Sequence, residues 1–219
     1  MGYDKGVVRV LLFSASLRGD SFNTGLIGLA RSVVERLGAR IDLATMQEFD
    51  APSYNQDVEA QDGFPAGTSE LHRRLEACHA FVIATPEYNA SMPGHLKNAI
   101  DWVSRVRPQP FNARHGLLLS ASPSMAGGNR RLWSPRIPLE HLGARIFPDM
   151  FSLAQAHKAF TDAGALADQL PPSGSSRTYA RSWIWWKPPS TTPASRRPGW
   201  SSWASRGTRW DGWRRRSWR

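Results

Sequence analysis

Up to residue 148 the chain alternates short apolar runs with longer stretches in which apolar residues recur every three or four positions. Residues 7–13 are apolar except for Arg9, the pattern of a strand covered on both faces. Residues 14–23 are small and polar. Residues 24–37 then place Leu26, Ile27, Leu29, Ala30, Val33, Val34 and Leu37 on one helical stripe, and Gly38 ends it. A second strand is expected over 39–45 and a helix over 67–79 with Leu71, Leu75 and Cys78 inward. AFVIATP, residues 80–86, reads as the clearest buried strand. A helix over 95–106 follows, with Leu96, Ile100 and Val103 inward, then a strand over 116–122, a helix over 129–142 and a short strand over 144–148.

Strand–helix alternation at this spacing implies parallel strands joined by crossover helices. The fold class expected is α/β: a three-layer sandwich around a five-stranded, parallel, doubly wound sheet. Such a sheet binds ligands outside the carboxyl ends of its strands, where the strand order reverses. The loops to inspect are therefore 14–23, 86–94 and 120–130.

SASLRGDSFN offers Ser14, Ser16, Arg18, Ser21 and Asn23 just ahead of a helix. Backbone N–H groups, hydroxyls, a guanidinium and the positive end of the helix dipole suit a phosphate dianion there. The plainer alternative is a capped helix with a surface arginine. The loop matches neither GxxxxGK[ST] nor GxGxxG, which disfavours a nucleoside triphosphate or a Rossmann-bound dinucleotide. In TPEYNASMPGHLKNAIDW an aromatic and an amide, Tyr88 and Asn89, sit in a turn at the switch point, a pairing that suits a flat, hydrogen-bonding ring; an ordinary loop with a solvent-facing tyrosine is the alternative. SASPSMAGGNRR carries Gly127 and Gly128, which permit close backbone approach, or merely a flexible loop.

In that order and spacing, these three stretches resemble the NADPH-dependent FMN reductase family, flavodoxin-like enzymes that include quinone, chromate and azo-compound reductases. The likeness runs from about residue 7 to 160. It implies a flavodoxin-like fold, FMN as cofactor and NADPH or NADH as co-substrate. Carried over by position, it implies that Ser16, Arg18, Ser21, Phe22 and Asn23 hold the FMN phosphate. Pro86, Glu87, Tyr88 and Asn89 line the isoalloxazine ring and ribityl chain, while Ser122, Gly127, Gly128 and Arg130 close the far side. Ser14, Ser124 and Arg131 stand where the family usually has smaller residues. The implied reaction passes hydride from a nicotinamide through FMN to a quinone, azo compound or chromate. It needs no general acid or base from the protein, so no catalytic side chain is assigned. The alternative is a flavodoxin-like carrier or regulatory protein that binds FMN without turning over NADPH. Homodimers or homotetramers are expected by the same resemblance.

Charge separates the chain into two parts. The 28 Lys+Arg and 18 Asp+Glu leave +10, yet residues 1–170 hold 17 of each sign and residues 171–219 hold 11 basic against one acidic. The six histidines show no metal-ligand spacing and are expected to be structural or surface groups. One cysteine excludes an internal disulfide and fits a reducing compartment. No apolar stretch approaches the roughly 20 residues of a membrane-spanning helix, and the start reads as a strand, not a signal peptide. A soluble, cytoplasmic protein without a membrane partner is expected.

The final part reads differently. Eight of the ten tryptophans lie from Trp183 onward, and Ile184 is the only Ile, Leu, Val or Met after Leu170. A basic, Trp-rich arm could bind nucleic acid, although the neutral body disfavours it; a disordered, low-complexity end is the plainer alternative. A third reading follows from the genetic code. The single Trp codon, read one base earlier, always encodes Leu, Val or Met. Trp183/Trp186, Trp200/Trp203 and Trp210/Trp213 are each three residues apart, the spacing of an amphipathic helix. Residues 1–170 are thus expected to form one flavodoxin-like domain, and 171–219 an out-of-frame tail, disordered or irregular.

Overall fold

The computed structural model describes residues 7–124 and 129–160, with the backbone alone for 129–131. The tail lies outside the described residues. Six parallel strand segments form the sheet: β1 (Arg9–Ser14), β2 (Arg40–Thr45), β3 (Ala80–Ala84), β4 (His115–Ala121), β5 (Arg145–Ile146) and β6 (Phe151–Leu153). Their order is β2-β1-β3-β4-β5, with β6 also on β4. β5 pairs with His115 and Gly116, and β6 with Leu119 to Ala121. The fifth strand expected from sequence is therefore one edge position in two pieces. Phe147 still donates to the Gly116 carbonyl at 2.8 Å, but Pro148 after it cannot donate to a ladder, and pairing resumes at Phe151.

The register explains the apolar runs. Leu12 stands opposite Leu43 on one side and Val82 on the other, which makes β1 an inner strand, and cores on both faces of the sheet leave it no solvent face. Every residue of β3 is buried. Alternate side chains feed two cores. Leu11, Phe13, Phe81, Ile83 and Leu118 pack with Leu71 and Leu75 of α3 (Ala66–Ala77) and with Leu96, Ile100 and Val103 of α4 (Gly94–Val103). Leu132 and Leu139 of α5 (Asn129–His141) join that core despite Pro135 and Pro138 inside the helix. Val10, Leu12, Val82, Leu117 and Leu119 pack on the other face, against Leu26, Ile27, Ala30 and Val34 of α1 (Phe22–Arg36). Ala156 and Ala159 of α6 (Ala156–Ala159) complete that face.

The α1 stripe is narrower than expected: Leu29 and Val33 are half-buried and Leu37, the C-cap, is exposed. Gly38 closes the helix at φ +80°, a left-handed conformation that favours glycine. Between β2 and α3 run a 3-10 turn (Met46–Phe49) and α2 (Gln56–Asp62), neither expected from sequence. α3 fits beneath this connector only because Gly67 lacks a side chain, since a Cβ there would meet the Asp50 carbonyl at 2.1 Å.

Candidate functional site

The strands of a parallel sheet all end on one edge, and the three suspected loops meet there. β1 runs into the first loop, where two nearly buried serines organise the backbone. The Ser14 hydroxyl accepts the Ser16 amide at 3.2 Å, and the Ser16 hydroxyl accepts the Arg18 amide at 3.2 Å. Ser14 is 7% and Ser16 8% exposed. Among the described residues neither hydroxyl has an acceptor for its own proton, so each remains a donor. Ser21 caps α1, taking the Thr24 amide at 3.1 Å. The first turn of α1 holds no acidic residue, and the amides of Phe22 and Asn23 head the helix, where N–H groups lack intrahelical partners. Hydroxyl donors, helix-head amides and the helix dipole thus all belong to the one loop that leads from β1 into α1.

Not every residue expected here offers its side chain. Asn23 is turned inward, donating to the Ala121 carbonyl at 3.1 Å and accepting the Ala121 amide at 3.0 Å; what it offers a ligand is its main-chain N–H. The Phe22 ring stacks on Phe160, with centroids 6.1 Å apart, and belongs to the packing of α1. Arg18 is exposed and paired with the equally exposed Asp20 at 3.1 Å.

β3 ends in the second loop. Pro86 and Glu87 are half-buried, while Tyr88 and Asn89 are exposed. The Tyr88 and Ser91 amides and carbonyls bond each other at 3.0 and 3.1 Å, closing a tight turn whose central residues, Asn89 and Ala90, have φ of 52° and 62°. Asn tolerates this region, but Ala does so at a cost of about 1–2 kcal/mol. Such strain persists where the surroundings impose it and gathers at functional sites. Here the surroundings are visible: Met92 and Pro93 are buried, Ser91 Oγ meets Ser134 Oγ at 2.8 Å, and the Met92 amide donates to Ser134 at 3.2 Å. The turn lifts the Tyr88 ring out, 49% exposed. His95 Nε2 lies 2.8 Å from the Ala15 carbonyl, tying this loop to the first.

The third loop begins at Ser122, 4% exposed. Its amide donates to Leu153, and its hydroxyl donates to Ser124 Oγ at 3.0 Å while taking the Ser124 amide at 3.1 Å. Gly127, Gly128 and the side chain of Arg130 lie outside the described residues. The structure thus brings the first two loops together through His95 and joins the first to the start of the third through Asn23. Ser134 and His95 are the contributors that sequence reasoning left without a role. Of these only His95 had a signal, its place directly after Pro93-Gly94.

A cavity of about 60 Å³ lies elsewhere, at the amino-terminal ends of β1 and β2, lined by Arg9, Arg40, Ile41, Asp42, Arg74, Ala77 and Cys78. It is far smaller than the roughly 300–1,000 Å³ of a ligand pocket. Burial pushes the Cys78 thiol up to about 12, which leaves it inert as a nucleophile. Among the described residues no group of His, Cys, Asp and Glu is placed to hold a metal ion.

Strand order 2-1-3-4-5 defines a flavodoxin-like α/β protein, a fold that binds ligands outside the carboxyl ends of its strands. A family profile described as NADPH-dependent FMN reductase matches residues 8–158. The chain is 37% identical over 163 residues to an NAD(P)H-dependent FMN reductase of Pseudomonas aeruginosa, covering 74% of this chain and 85% of that protein. It is 34% identical to a quinone reductase of Escherichia coli, covering 74% and 86%. Among solved structures it resembles FerB, a flavoenzyme NAD(P)H:(acceptor) oxidoreductase of Paracoccus denitrificans, with TM-score 0.65 and 27% identity over 82% of this chain and 93% of that one. The chain belongs to the NADPH-dependent FMN reductase family and is an oxidoreductase of that family.

Proposed function

We propose that this enzyme passes hydride from NADPH or NADH through bound FMN to a quinone. The observation that carries the reading is the set of uncommitted donors after β1, two nearly buried serine hydroxyls beside the head of α1, facing a second loop that holds Tyr88 out on a strained turn. That donor set fits a phosphate dianion. Ser16, Ser21 and the amides of Phe22 and Asn23 would hold it. Arg18 would leave Asp20 to join them, because an exposed ion pair is worth only about 0–1 kcal/mol. Pro86, Glu87, Tyr88 and Asn89 would line the ring and ribityl chain, with Ser122, Gly127, Gly128 and Arg130 on the far side.

When bound, FMN supplies the two-electron chemistry; this chain's residues bind it, orient it and keep one face open. The exposed Tyr88 ring offers a flat surface at that face. A quinone acceptor is favoured by the relative in E. coli, with azo compounds and chromate as further acceptors. We assign the enzyme to the cytoplasm, as a homodimer or homotetramer, and no helix among the described residues is long and apolar enough to cross a membrane. Residues 1–170 form the FMN-binding domain in this reading. Residues 171–219 are an out-of-frame tail, consistent with a family match that stops at residue 158.

The test is calorimetric titration of purified protein with FMN, followed by NADPH oxidation with and without a quinone. Saturable FMN binding with quinone-dependent turnover is expected. A protein that takes up no FMN overturns the reading, and FMN binding without turnover leaves a carrier.

A further inference from the structure

His95 stands outside every role assigned above, yet its side chain touches both the first and the second of the ligand-facing loops. Its half-buried ring occupies the second position of α4. Nε2 lies 2.8 Å from the Ala15 carbonyl. A carbonyl only accepts, so Nε2 carries the proton and the imidazole donates. The ring also meets Tyr88 edge-on, with centroids 6.1 Å apart and planes at 80°.

Ala15 makes this contact consequential. It is fully buried; its amide donates to the Ala84 carbonyl of β3 at 2.8 Å, and its carbonyl has no other donor among the described residues. The peptide leading into Ser16 is therefore fixed from β3 on one side and from α4 on the other. Ser16 in turn supplies a hydroxyl to the phosphate-facing loop. The helix does not need His95 for capping, since its N-cap is Pro93 and the bond leaves the helix. What the bond does is join the backbone of the first loop to the packing of Tyr88 in the second.

We propose that His95 is a positioning residue that couples the two halves of the flavin site, so that an anion held by the first loop strengthens ring binding beside Tyr88. The inference rests on the FMN reading above. Coupling of this kind is reciprocal, which allows it to be read with two separate probes, riboflavin for the ring and inorganic phosphate for the loop.

Riboflavin is titrated into flavin-free wild-type protein and into His95→Gln, His95→Val and His95→Asn, each with and without saturating inorganic phosphate. In the wild type, phosphate is expected to tighten riboflavin binding about fivefold, the worth of one neutral hydrogen bond. Gln can still donate to Ala15 and should keep that factor. Val cannot donate and Asn is too short to reach, so both should lose it; Asn serves if Val does not fold. A Val or Asn variant that keeps the wild-type factor overturns the proposal, whatever its melting temperature, as does a wild type in which phosphate has no effect on riboflavin. Wild-type protein that binds FMN but shows no coupling sinks this inference alone, whereas failure to bind FMN at all sinks the reading beneath it.

Discussion

The stretch TPEYNASMPGHLKNAIDW contains two regions that do opposite things with their polar groups. In residues 86–95 the polar groups face outward or bridge loops: Tyr88 and Asn89 are exposed, and His95 reaches across to Ala15. In residues 96–102 those of Asn98 and Trp102 are consumed by the scaffold, while Lys97 and Asp101 pair with each other at the surface. Asn98 takes the Tyr54 amide at 2.8 Å and donates to the Ala51 and Pro52 carbonyls at 3.0 and 2.9 Å. Trp102, fully buried, donates to the Pro52 carbonyl at 2.7 Å and meets the Tyr54 ring edge-on at 5.1 Å. A single distinctive run of sequence thus encodes a ligand-facing surface and, immediately after it, the clamp that holds the connector between β2 and α3. The second half is distinctive for reasons of folding, because an irregular connector has backbone groups that a side chain must satisfy.

The sharpest way to break this division is at Trp102. Trp102→Ala removes a fully buried ring and one of the two donors to the Pro52 carbonyl, Asn98 being the other, and should cost about 3–5 kcal/mol of stability. The FMN affinity of the protein that remains folded should not change, since Trp102 touches no loop of the site. Urea unfolding and titration calorimetry on the same preparation separate the two quantities; a loss of FMN affinity without loss of stability would place Trp102 in the site and dissolve the distinction.

The converse change is Tyr88→Ala. An exposed turn residue should alter stability by no more than about 0.5 kcal/mol. Loss of an aromatic contact on the flavin ring should weaken FMN by about fivefold, since such contacts are worth ~1 kcal/mol. A variant that binds FMN as the wild type does would remove Tyr88 from the site.

How far these roles were legible depends on how local their causes are. β3 was legible because a strand covered on both faces must be apolar throughout, and Ala80 to Ala84 are. The α1 boundary was displaced because Ser21, the cap, lies before Phe22, and the apolar stripe does not begin until Leu26. α2 was invisible because it buries no residue, so it carries no periodicity to detect. The part Ser16 plays in shaping the first loop is local, since its hydroxyl takes the Arg18 amide two residues on. The inward turn of Asn23 is not, since its partner is 98 residues away, and the partner of His95 is 80 residues away. Sequence exposes what a segment does with its neighbours and conceals what it does across the sheet.

The smallest expected effect lies at the edge opposite the site, where scaffold and acid meet. His79 Nδ1 accepts the Arg9 amide at 3.0 Å, which only an unprotonated nitrogen can do. Burial, then the charges of Arg9 and Arg114, hold His79 below its ordinary 6.5, and burial with Arg145 does the same for His115. The unfolded chain therefore binds more protons than the folded one in the window just below pH 6.5, so stability is full above that pH and declines as pH falls through it. Glu70 acts lower. Hydrogen bonding to Arg73, then to Arg74, brings it down to about 2 from 4.5, so its contribution is present above pH 4.5 and is lost toward pH 2. Thermal melts against pH should show two descents, one starting near 6.5 and one near 4.5. In His79→Asn, whose amide oxygen stands where Nδ1 does and can still accept the Arg9 amide but cannot be protonated, the upper descent should shrink while the lower one stays. A melting temperature that is flat from pH 7 to pH 5 in the wild type would show that the scaffold edge is indifferent to protons and would confine pH sensitivity to the site.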